Sequence, residues 1–193
     1  MKLVFATNNK YKFEEIRVLL KDHISLLNLN DINAVEDIPE THDTLEENAA
    51  EKARYIYSKY HINCFADDTG LEIDALHGAP GVYSARYAGK NCSFEDNINK
   101  VLRNMKGMVN RDACFRTVIA LIINGEMKLF EGKVNGKILT EKKGTNGFGY
   151  DPIFLPEDYD KTFAEMELTD KNKISHRTKA IIKLIRYLNN EKY

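Results

Sequence analysis

The sequence predicts an α/β protein in which short apolar strands alternate with amphipathic helices. Residues 3–6 form an apolar run, and apolar side chains then recur at helical spacing over residues 13–20. A second apolar run at residues 24–29 precedes a helical pattern over residues 45–60. Residues 113–123 are almost continuously apolar, which is typical of a strand buried on both faces. Alternation of this kind indicates the α/β class.

Length and composition indicate a single domain covering residues 1–193. Hydrophobic residues make up 43% of the chain and charged residues 30%, values typical of a globular protein. The formal net charge of −1 argues against a broad positive surface for nucleic acid. No apolar run reaches the about 18 residues that a membrane helix needs. We therefore expect no nucleic-acid partner and no membrane partner.

The cysteine content indicates a reducing compartment. Cys64, Cys92 and Cys114 lack the spacing of a metal site and cannot all pair with one another. The chain passes from Met1 and Lys2 directly into an apolar strand, without a signal-peptide pattern. We expect a cytoplasmic protein whose cysteines fill space and do not act as catalytic thiols.

A polar segment between the first predicted strand and the first predicted helix is a candidate phosphate site. Its residues are Thr7, Asn8, Asn9, Lys10, Tyr11 and Lys12. A helix N-terminus offers backbone N–H groups and a positive dipole end, which suits a polyphosphate. The segment is not a P-loop, because the glycines and the Gly-Lys-Ser/Thr ending are absent. A simple N-cap by Asn8 or Asn9 is the alternative.

The helix predicted over residues 45–60 begins with a capping-box pattern. Thr44 is the predicted N-cap, and Glu47 is the third helical residue. Residues 30–42 form a polar connection before this helix and include Glu40. Lys52 is a polar residue of interest within the helix.

The acidic stretch at residues 65–75 is the main candidate for the catalytic centre. It begins like the end of a buried strand and continues with Asp67 and Asp68, followed by a predicted Thr69-Gly70 turn. Carboxylates at the end of a strand often bind metals or act as general bases, because the scaffold fixes them while substrate reaches them. An acidic surface turn is the alternative, since Asp and Gly are common turn residues.

The middle of the chain carries mainly structural signals. Residues 78–89 are dense in small and turn residues, which implies tight turning or close approach of the backbone. Ser93 caps a helix predicted over residues 94–105, with Phe94 among the inward-facing residues. Asn124-Gly125 is a strong hairpin signal after the long apolar strand.

The C-terminal third contains a glycine-aromatic loop and a basic helix start. Residues 144–152 form a loop in which glycines permit close approach of a ligand and aromatic rings can stack on a nucleobase; a plain turn is the alternative. Lys171 lies in a predicted polar connector, and His176 and Arg177 open the last helix. Cations are unfavourable beside the positive end of a helix dipole unless a negative or electron-rich group is also present, and this favours a ligand.

Taken together, these motifs resemble the inosine triphosphate pyrophosphatase family over nearly the whole chain. The matching motifs are Thr7-Asn8-Asn9 with Lys12, Glu47-Asn48-Ala49 with Lys52-Ala53, Ala66-Asp67-Asp68-Thr69-Gly70-Leu71, Gly78-Ala79-Pro80-Gly81 with Ser84-Ala85-Arg86-Tyr87, Gly147-Phe148-Gly149-Tyr150-Asp151-Pro152, and Ser175-His176-Arg177. Their number and order make the resemblance specific. The family usually has Gly where Asn8 stands and often Ser where Thr69 stands. We expect the substitution at Asn8 to be tolerated because Asn accepts unusual φ angles.

The resemblance implies an elongated α/β fold with a long mixed central β-sheet, two lobes with a nucleotide cleft between them, and a homodimer. It also implies Mg²⁺-dependent hydrolysis of ITP, dITP or XTP to the monophosphate and pyrophosphate. Asp68 would be the catalytic carboxylate and a metal ligand, with Glu40 as the second metal ligand. The residues that the resemblance assigns to substrate binding are Thr7, Asn8, Asn9, Lys10, Tyr11, Lys12, Lys52, Thr69, Phe148, Gly149, Tyr150, Asp151, Lys171, His176 and Arg177.

Two other functions fit part of the sequence. Asp68-Thr69-Gly70 is also the Asp-Thr-Gly of aspartic proteases, but those enzymes need a second copy of the motif or a small all-β dimer. A nucleotide-binding protein without turnover is the more serious alternative, because binding loops alone do not prove catalysis. The presence of both Asp68 and Glu40 argues against it.

Overall fold

The computed structural model describes residues 1–20, 24–34, 38 and 40–190. Within the predicted connection at residues 30–42, the residues Glu36, Asp37 and Pro39 lie outside the described part. The helices are α1 (Lys10–Leu20), α2 (Leu45–Tyr60), α3 (Phe94–Asn104), α4 (Leu168–Ile174) and α5 (His176–Asn190). The strands are β1 (Lys2–Phe5), β2 (Ser25–Leu27), β3 (Cys64–Ile73), β4 (Pro80–Gly81), β5 (Asp112–Ile123), β6 (Glu126–Ile138) and β7 (Phe154–Pro156).

The strands form one mixed sheet, which confirms the predicted α/β class. Their order is β2-β1-β3-β5-β6-β7, and β4 pairs with β3 off this path. The β1 strand pairs in parallel with β2 and β3, whereas β4 pairs antiparallel with β3, and β7 pairs antiparallel with β6. The predicted hairpin turn between β5 and β6 is confirmed, since Asn124 and Gly125 have φ angles of 50° and 88°.

The chain divides into two compact units, each with its own hydrophobic cluster. The first unit draws on residues 1–68, 117–132 and 177–193, and the second on residues 69–116 and 133–176. Phe5 and Phe65 stack in the core of the first unit with ring centroids 4.6 Å apart. Phe115 and Phe154 meet edge to face in the core of the second unit at the same distance, 4.6 Å. The strands β3, β5 and β6 supply residues to both units.

The helix boundaries follow the predicted caps closely. The Thr44 hydroxyl accepts a hydrogen bond from the Glu47 backbone N–H at 3.2 Å, which fixes the start of α2. Ser93 and Asp96 form a reciprocal capping box at the start of α3. In the described part of the chain, no helix has both the length and the apolar character needed to cross a membrane.

Three local predictions are wrong. The expected Thr69-Gly70 turn is continuous strand within β3, and Gly70 is required because a Cβ there would lie 2.7 Å from the Gly81 carbonyl oxygen of β4. Lys171 lies in helix α4 and not in a connector. Phe94 is 42% exposed and not buried as predicted, because it is the first residue of α3 and lies one turn before Ile98, the first buried apolar residue on that face of the helix.

Candidate active site

The N-terminus of α1 is organised by one asparagine. The Asn9 Oδ1 atom accepts hydrogen bonds from the backbone N–H groups of Tyr11 at 3.0 Å and Lys12 at 3.2 Å. Thr7 in turn accepts from the Asn9 backbone N–H at 3.2 Å through its hydroxyl. Of the two candidate caps, Asn9 is therefore the N-cap, and Asn8 lies just before it with an exposed side chain.

The backbone at Asn8 does not require a glycine. Positive φ angles occur at Asn33, His61, His77 and other described residues, but Asn8 does not have one. An L-residue is therefore compatible with the turn at this position. Lys10 and Tyr11 are exposed, and Lys12 is half-buried on the same first turn of the helix.

Asp67 and Asp68 have different environments because neighbouring residues of a strand point to opposite faces. Asp67 is 1% exposed and accepts hydrogen bonds from Lys12 Nζ at 3.1 Å and Arg177 Nε at 3.3 Å. The Arg177 guanidinium also pairs with Glu15, so that two carboxylates surround it at the start of α5. Burial alone would raise the pKa of Asp67, but Lys12, Arg177 and Lys52 hold it well below its usual range.

Asp68 belongs to a separate group with α2. It is 5% exposed, and its Oδ2 accepts a hydrogen bond from Asn48 Nδ2 at 3.1 Å. Its Oδ1 lies 3.8 Å from Lys52 Nζ, which also pairs with Glu40. Burial raises the pKa of Asp68, and the attraction of Lys52 and Lys12 only partly offsets this effect.

Lys52 therefore connects the two predicted metal ligands. Burial would lower the pKa of this lysine, but Asp68 and Glu40 raise it, so its ammonium group stays charged. Burial also acts to raise the pKa of Glu40, and the nearby Lys52 outweighs that effect and lowers it. Glu40, Lys52 and Asp68 form what we call the carboxylate–lysine cluster.

The carboxylate–lysine cluster offers a metal two carboxylates and few other protein ligands. Among the described residues, no group of three or more His, Cys, Asp or Glu side chains could hold a metal ion. Mg²⁺ commonly keeps one or two protein carboxylates and completes its octahedron with water and substrate phosphate oxygens. Glu40 and Asp68 fit a magnesium ion held together with a nucleotide, and do not fit a closed metal site made by protein alone.

A second group of predicted site residues surrounds a buried ion pair in the second unit. Lys171 Nζ lies 2.6 Å from Asp151 Oδ2, and both side chains are 3% exposed. The same carboxylate oxygen accepts a hydrogen bond from the Phe148 backbone N–H at 2.9 Å. The Lys171 ammonium group also lies 5.1 Å from the centre of the Phe148 ring and 5.5 Å from that of Phe163.

The glycine-aromatic loop at residues 144–152 needs glycine at the positions where its backbone has positive φ angles. Gly147 has a φ of +72°, and a Cβ there would lie 2.1 Å from Asp151 Oδ2. Gly149 has a φ of +60°, and Tyr150 is held by a hydrogen bond from its hydroxyl to the Ser84 carbonyl oxygen at 2.8 Å. Burial raises the pKa of the Tyr150 hydroxyl, which therefore stays protonated.

His176 and Thr69 are the remaining predicted site residues of the second unit. The His176 ring is 3% exposed and stacks on Phe115 with centroids 4.7 Å apart and an interplanar angle of 11°. Thr69 is half-buried within β3, directly after Asp68. The structure therefore collects Phe148, Asp151 and Lys171 into one group, while His176 packs among core rings.

Comparison with known proteins identifies the family of this chain. Residues 3–187 match the model of the Ham1 family. The chain belongs to this family. It is 58% identical over 188 residues to a protein of Christiangramia forsetii named dITP/XTP pyrophosphatase, covering 97% of this chain and 99% of that protein. A protein of the same name from Flavobacterium johnsoniae is 57% identical over 185 residues, which is 96% of each chain.

Solved structures of Ham1 proteins share the fold. The Staphylococcus aureus Ham1 protein superposes with a TM-score of 0.90 at 41% identity, covering 99% of this chain and 100% of that chain. A HAM1 protein from Coxiella burnetii superposes with a TM-score of 0.91 at 40% identity, covering 98% and 99%. The predicted family and its mixed α/β fold are thereby confirmed.

Two buried polar residues that contact the predicted site residues were not themselves predicted as site residues. Glu15 is 4% exposed and pairs with Arg177, and Asn48 is fully buried beside Asp68. The available signal for Asn48 was its spacing, since it lies four residues before Lys52 and beside the apolar residues of α2. Two polar side chains on the buried side of one helix indicate a polar partner in the core.

Proposed function

We propose that this protein hydrolyses the deaminated purine nucleotides ITP, dITP and XTP to the monophosphate and pyrophosphate. The activity would remove these nucleotides before their incorporation into DNA or RNA. Full-length relatives are named dITP/XTP pyrophosphatases. The observation that carries the proposal is the carboxylate–lysine cluster, in which Lys52 pairs with both Glu40 and Asp68.

The cluster supplies the groups that pyrophosphate release requires. Glu40 and Asp68 would hold Mg²⁺, which neutralises phosphate oxygens and polarises water when bound. Asp68 is also the proposed proton acceptor, and its burial makes it a stronger base than an exposed carboxylate. Lys52 would move from the carboxylates to a phosphate oxygen, since it is a compact charge on a flexible stem.

The start of α1 is the proposed site for the rest of the triphosphate. Its backbone N–H groups and the positive end of the helix dipole favour an anion. The side chains proposed to contribute are Thr7, Asn8, Asn9, Lys10, Tyr11 and Lys12. Because Asn9 already accepts from two of the N–H groups, the lysine side chains supply most of the positive charge.

We propose that the second group recognises the purine. The Phe148 ring would stack on the base, with Gly149, Tyr150 and Thr69 beside the nucleotide. A 6-oxo purine presents an acceptor where adenine presents a donor, so that donors from Lys171, His176 or backbone N–H groups would favour ITP and XTP over ATP. A site built on such hydrogen bonds can discriminate by about 10⁴-fold.

A nucleotide panel tests this proposal most directly. Wild-type protein with Mg²⁺ is incubated with ITP, dITP, XTP, ATP and GTP, and pyrophosphate and orthophosphate are measured separately. We expect pyrophosphate from the first three nucleotides and little product from ATP. GTP shares the 6-oxo group, so the little product that we expect from it requires that the site exclude its 2-amino group. Orthophosphate as the main product, or equal rates with ATP, would contradict the proposal. Tight binding of ITP without any product would instead show a nucleotide-binding protein without turnover.

The role of Asp68 is tested with an isosteric pair of variants. Asp68→Asn removes the charge of the proposed base and metal ligand, and we expect turnover to be lost at saturating Mg²⁺. Asp74→Asn is the matched control, because Asp74 is exposed at the end of the same segment. Full turnover by Asp68→Asn would remove this residue from the proposed chemistry.

The resemblance also leads us to propose a cytoplasmic homodimer. Light scattering on the purified protein measures its mass in solution and tests the dimer. A monomer at all concentrations would contradict that part of the proposal without affecting the proposed reaction.

A further inference from the structure

Asn48 links the two segments that carry the carboxylate–lysine cluster. It lies one turn into α2 and is 0% exposed. Its Nδ2 donates to the His42 carbonyl oxygen at 3.1 Å and to Asp68 Oδ2 at 3.1 Å. Its Oδ1 accepts from the His42 backbone N–H at 3.0 Å. One side chain therefore binds both polar groups of a peptide segment and a carboxylate of β3.

The hydrogen bonds between Asn48 and His42 matter because His42 is close in sequence to Glu40. His42 lies two residues after Glu40, so that the Asn48 amide anchors the segment carrying one proposed metal ligand. Through its second N–H the same amide orients the other ligand, Asp68. With Oδ2 engaged by Asn48, the Oδ1 atom of Asp68 is the oxygen on the side of Lys52, at 3.8 Å.

We propose that Asn48 is a positioning residue that fixes the distance and orientation of Glu40 relative to Asp68. This inference rests on the proposed function and assigns a role to a residue that does not itself touch substrate. Only a carboxamide offers two N–H donors and an acceptor oxygen on one short stem. Asp at this position has no donor for Asp68, and Leu would leave the His42 peptide groups without this partner.

The test compares Asn48→Ala with Thr44→Ala. Both substitutions shorten a polar side chain near the start of α2, but the Thr44 side chain bonds the Glu47 backbone and carboxylate and not the cluster. Thermal melts show whether the two variants are folded to a comparable degree. If Asn48→Ala does not fold, Asn48→Ser replaces it, because a serine hydroxyl is too short to join His42 to Asp68.

The decisive measurements are the kcat and KM for ITP and the Mg²⁺ concentration that gives half-maximal rate. Loss of residues that orient metal ligands typically costs about 10- to 100-fold in metal affinity or activity. We expect a loss of that size in kcat and a comparable rise in the required Mg²⁺ for Asn48→Ala, with a KM for ITP close to that of wild type. Thr44→Ala should keep the wild-type Mg²⁺ dependence. A Mg²⁺ requirement that is equal in the two variants would overturn the proposal.

A binding measurement separates failure of this inference from failure of the proposed reaction. Mn²⁺ binding is followed by the electron paramagnetic resonance signal of the free ion, with wild type and Asn48→Ala in the presence of IMP and without added pyrophosphate, which itself binds Mn²⁺ in solution. Weaker Mn²⁺ binding by Asn48→Ala supports the positioning role even if wild type releases no pyrophosphate from any nucleotide. Equal Mn²⁺ binding by the two proteins would overturn it, whatever the activity of wild type.

Discussion

Replacing Lys52 by Met should strengthen metal binding in the absence of nucleotide. The Lys52 ammonium group lies 3.8 Å from Asp68 and pairs with Glu40, so it neutralises the two carboxylates as a bound metal ion would. A divalent ion that enters alone must displace this lysine. Methionine keeps much of the length and apolar volume of the stem but carries no charge.

The size of the effect follows from the distance. At 3.8 Å and an effective dielectric constant near 20, one charge pair is worth about 4 kcal/mol. Desolvation of the buried charges offsets most of this attraction and leaves about 1 to 2 kcal/mol. Since about 1.4 kcal/mol corresponds to a factor of ten, we expect Mn²⁺ to bind Lys52→Met roughly tenfold more tightly than wild type.

Titration of the nucleotide-free protein with Mn²⁺ measures this affinity near neutral pH. Lys59→Met is the matched control, because Lys59 is an exposed residue of the same helix and contacts the rings of Tyr55 and Tyr60. It removes the same charge from the protein without touching the cluster. Equal Mn²⁺ affinity in wild type and Lys52→Met would refute the reasoning, because Lys52 would then not compete with the metal.

Three further predictions concern stability, thiol reactivity and the loop. Asp67→Asn leaves Arg177 with one fewer carboxylate, so urea unfolding should show a loss of about 3 kcal/mol near neutral pH. The pKa of Asp67 is depressed in the fold, so this difference in unfolding free energy should narrow as the pH falls below about 4, where the carboxylate of the unfolded wild-type chain takes up a proton and that of the folded chain does not. Burial raises the pKa of Cys64 to about 12. Mass spectrometry after iodoacetamide treatment at mildly alkaline pH should therefore find the half-exposed Cys92 modified before Cys64. The reverse order would show that the core around Cys64 opens to the reagent. Gly147→Ala places a Cβ 2.1 Å from the Asp151 carboxylate at a residue whose φ is +72°. The KM for ITP should therefore rise by about tenfold or more. An unchanged KM would show that this loop does not contribute to substrate binding.

The elements of the fold could be predicted because local patterns and tertiary packing agree. The Thr44 cap, the Asn124-Gly125 turn and the apolar run of β5 each specify the observed structure through their own backbone chemistry. The error at Thr69-Gly70 has a different origin. Gly70 is needed for the approach of β4, and a close contact with a distant part of the chain leaves the same glycine signal as a turn.

The candidate site residues could be predicted from the sequence, but the residues that pair with their charges could not. The sequence indicated that a negative group must lie near Arg177, because a cation at a helix start is otherwise unfavourable. The structure supplies this group from Glu15 and Asp67, which are distant from Arg177 in sequence. A sequence pattern identifies the need for a counter-charge, but only the packing of α1 and α5 beside β3 in the first unit identifies the residues.

The different environments of the two neighbouring aspartates lead to a final prediction. A carboxylate whose pKa is raised by the fold costs stability at a pH where it is ionised, whereas a depressed pKa contributes stability there. The pKa of Asp68 is raised and that of Asp67 is lowered. In urea unfolding without metal near neutral pH, Asp68→Asn should therefore be at least as stable as wild type, although it loses turnover. A clear destabilisation by Asp68→Asn would show that its ion pair with Lys52 outweighs the cost of burial, and that Asp68 supports the fold as Asp67 does.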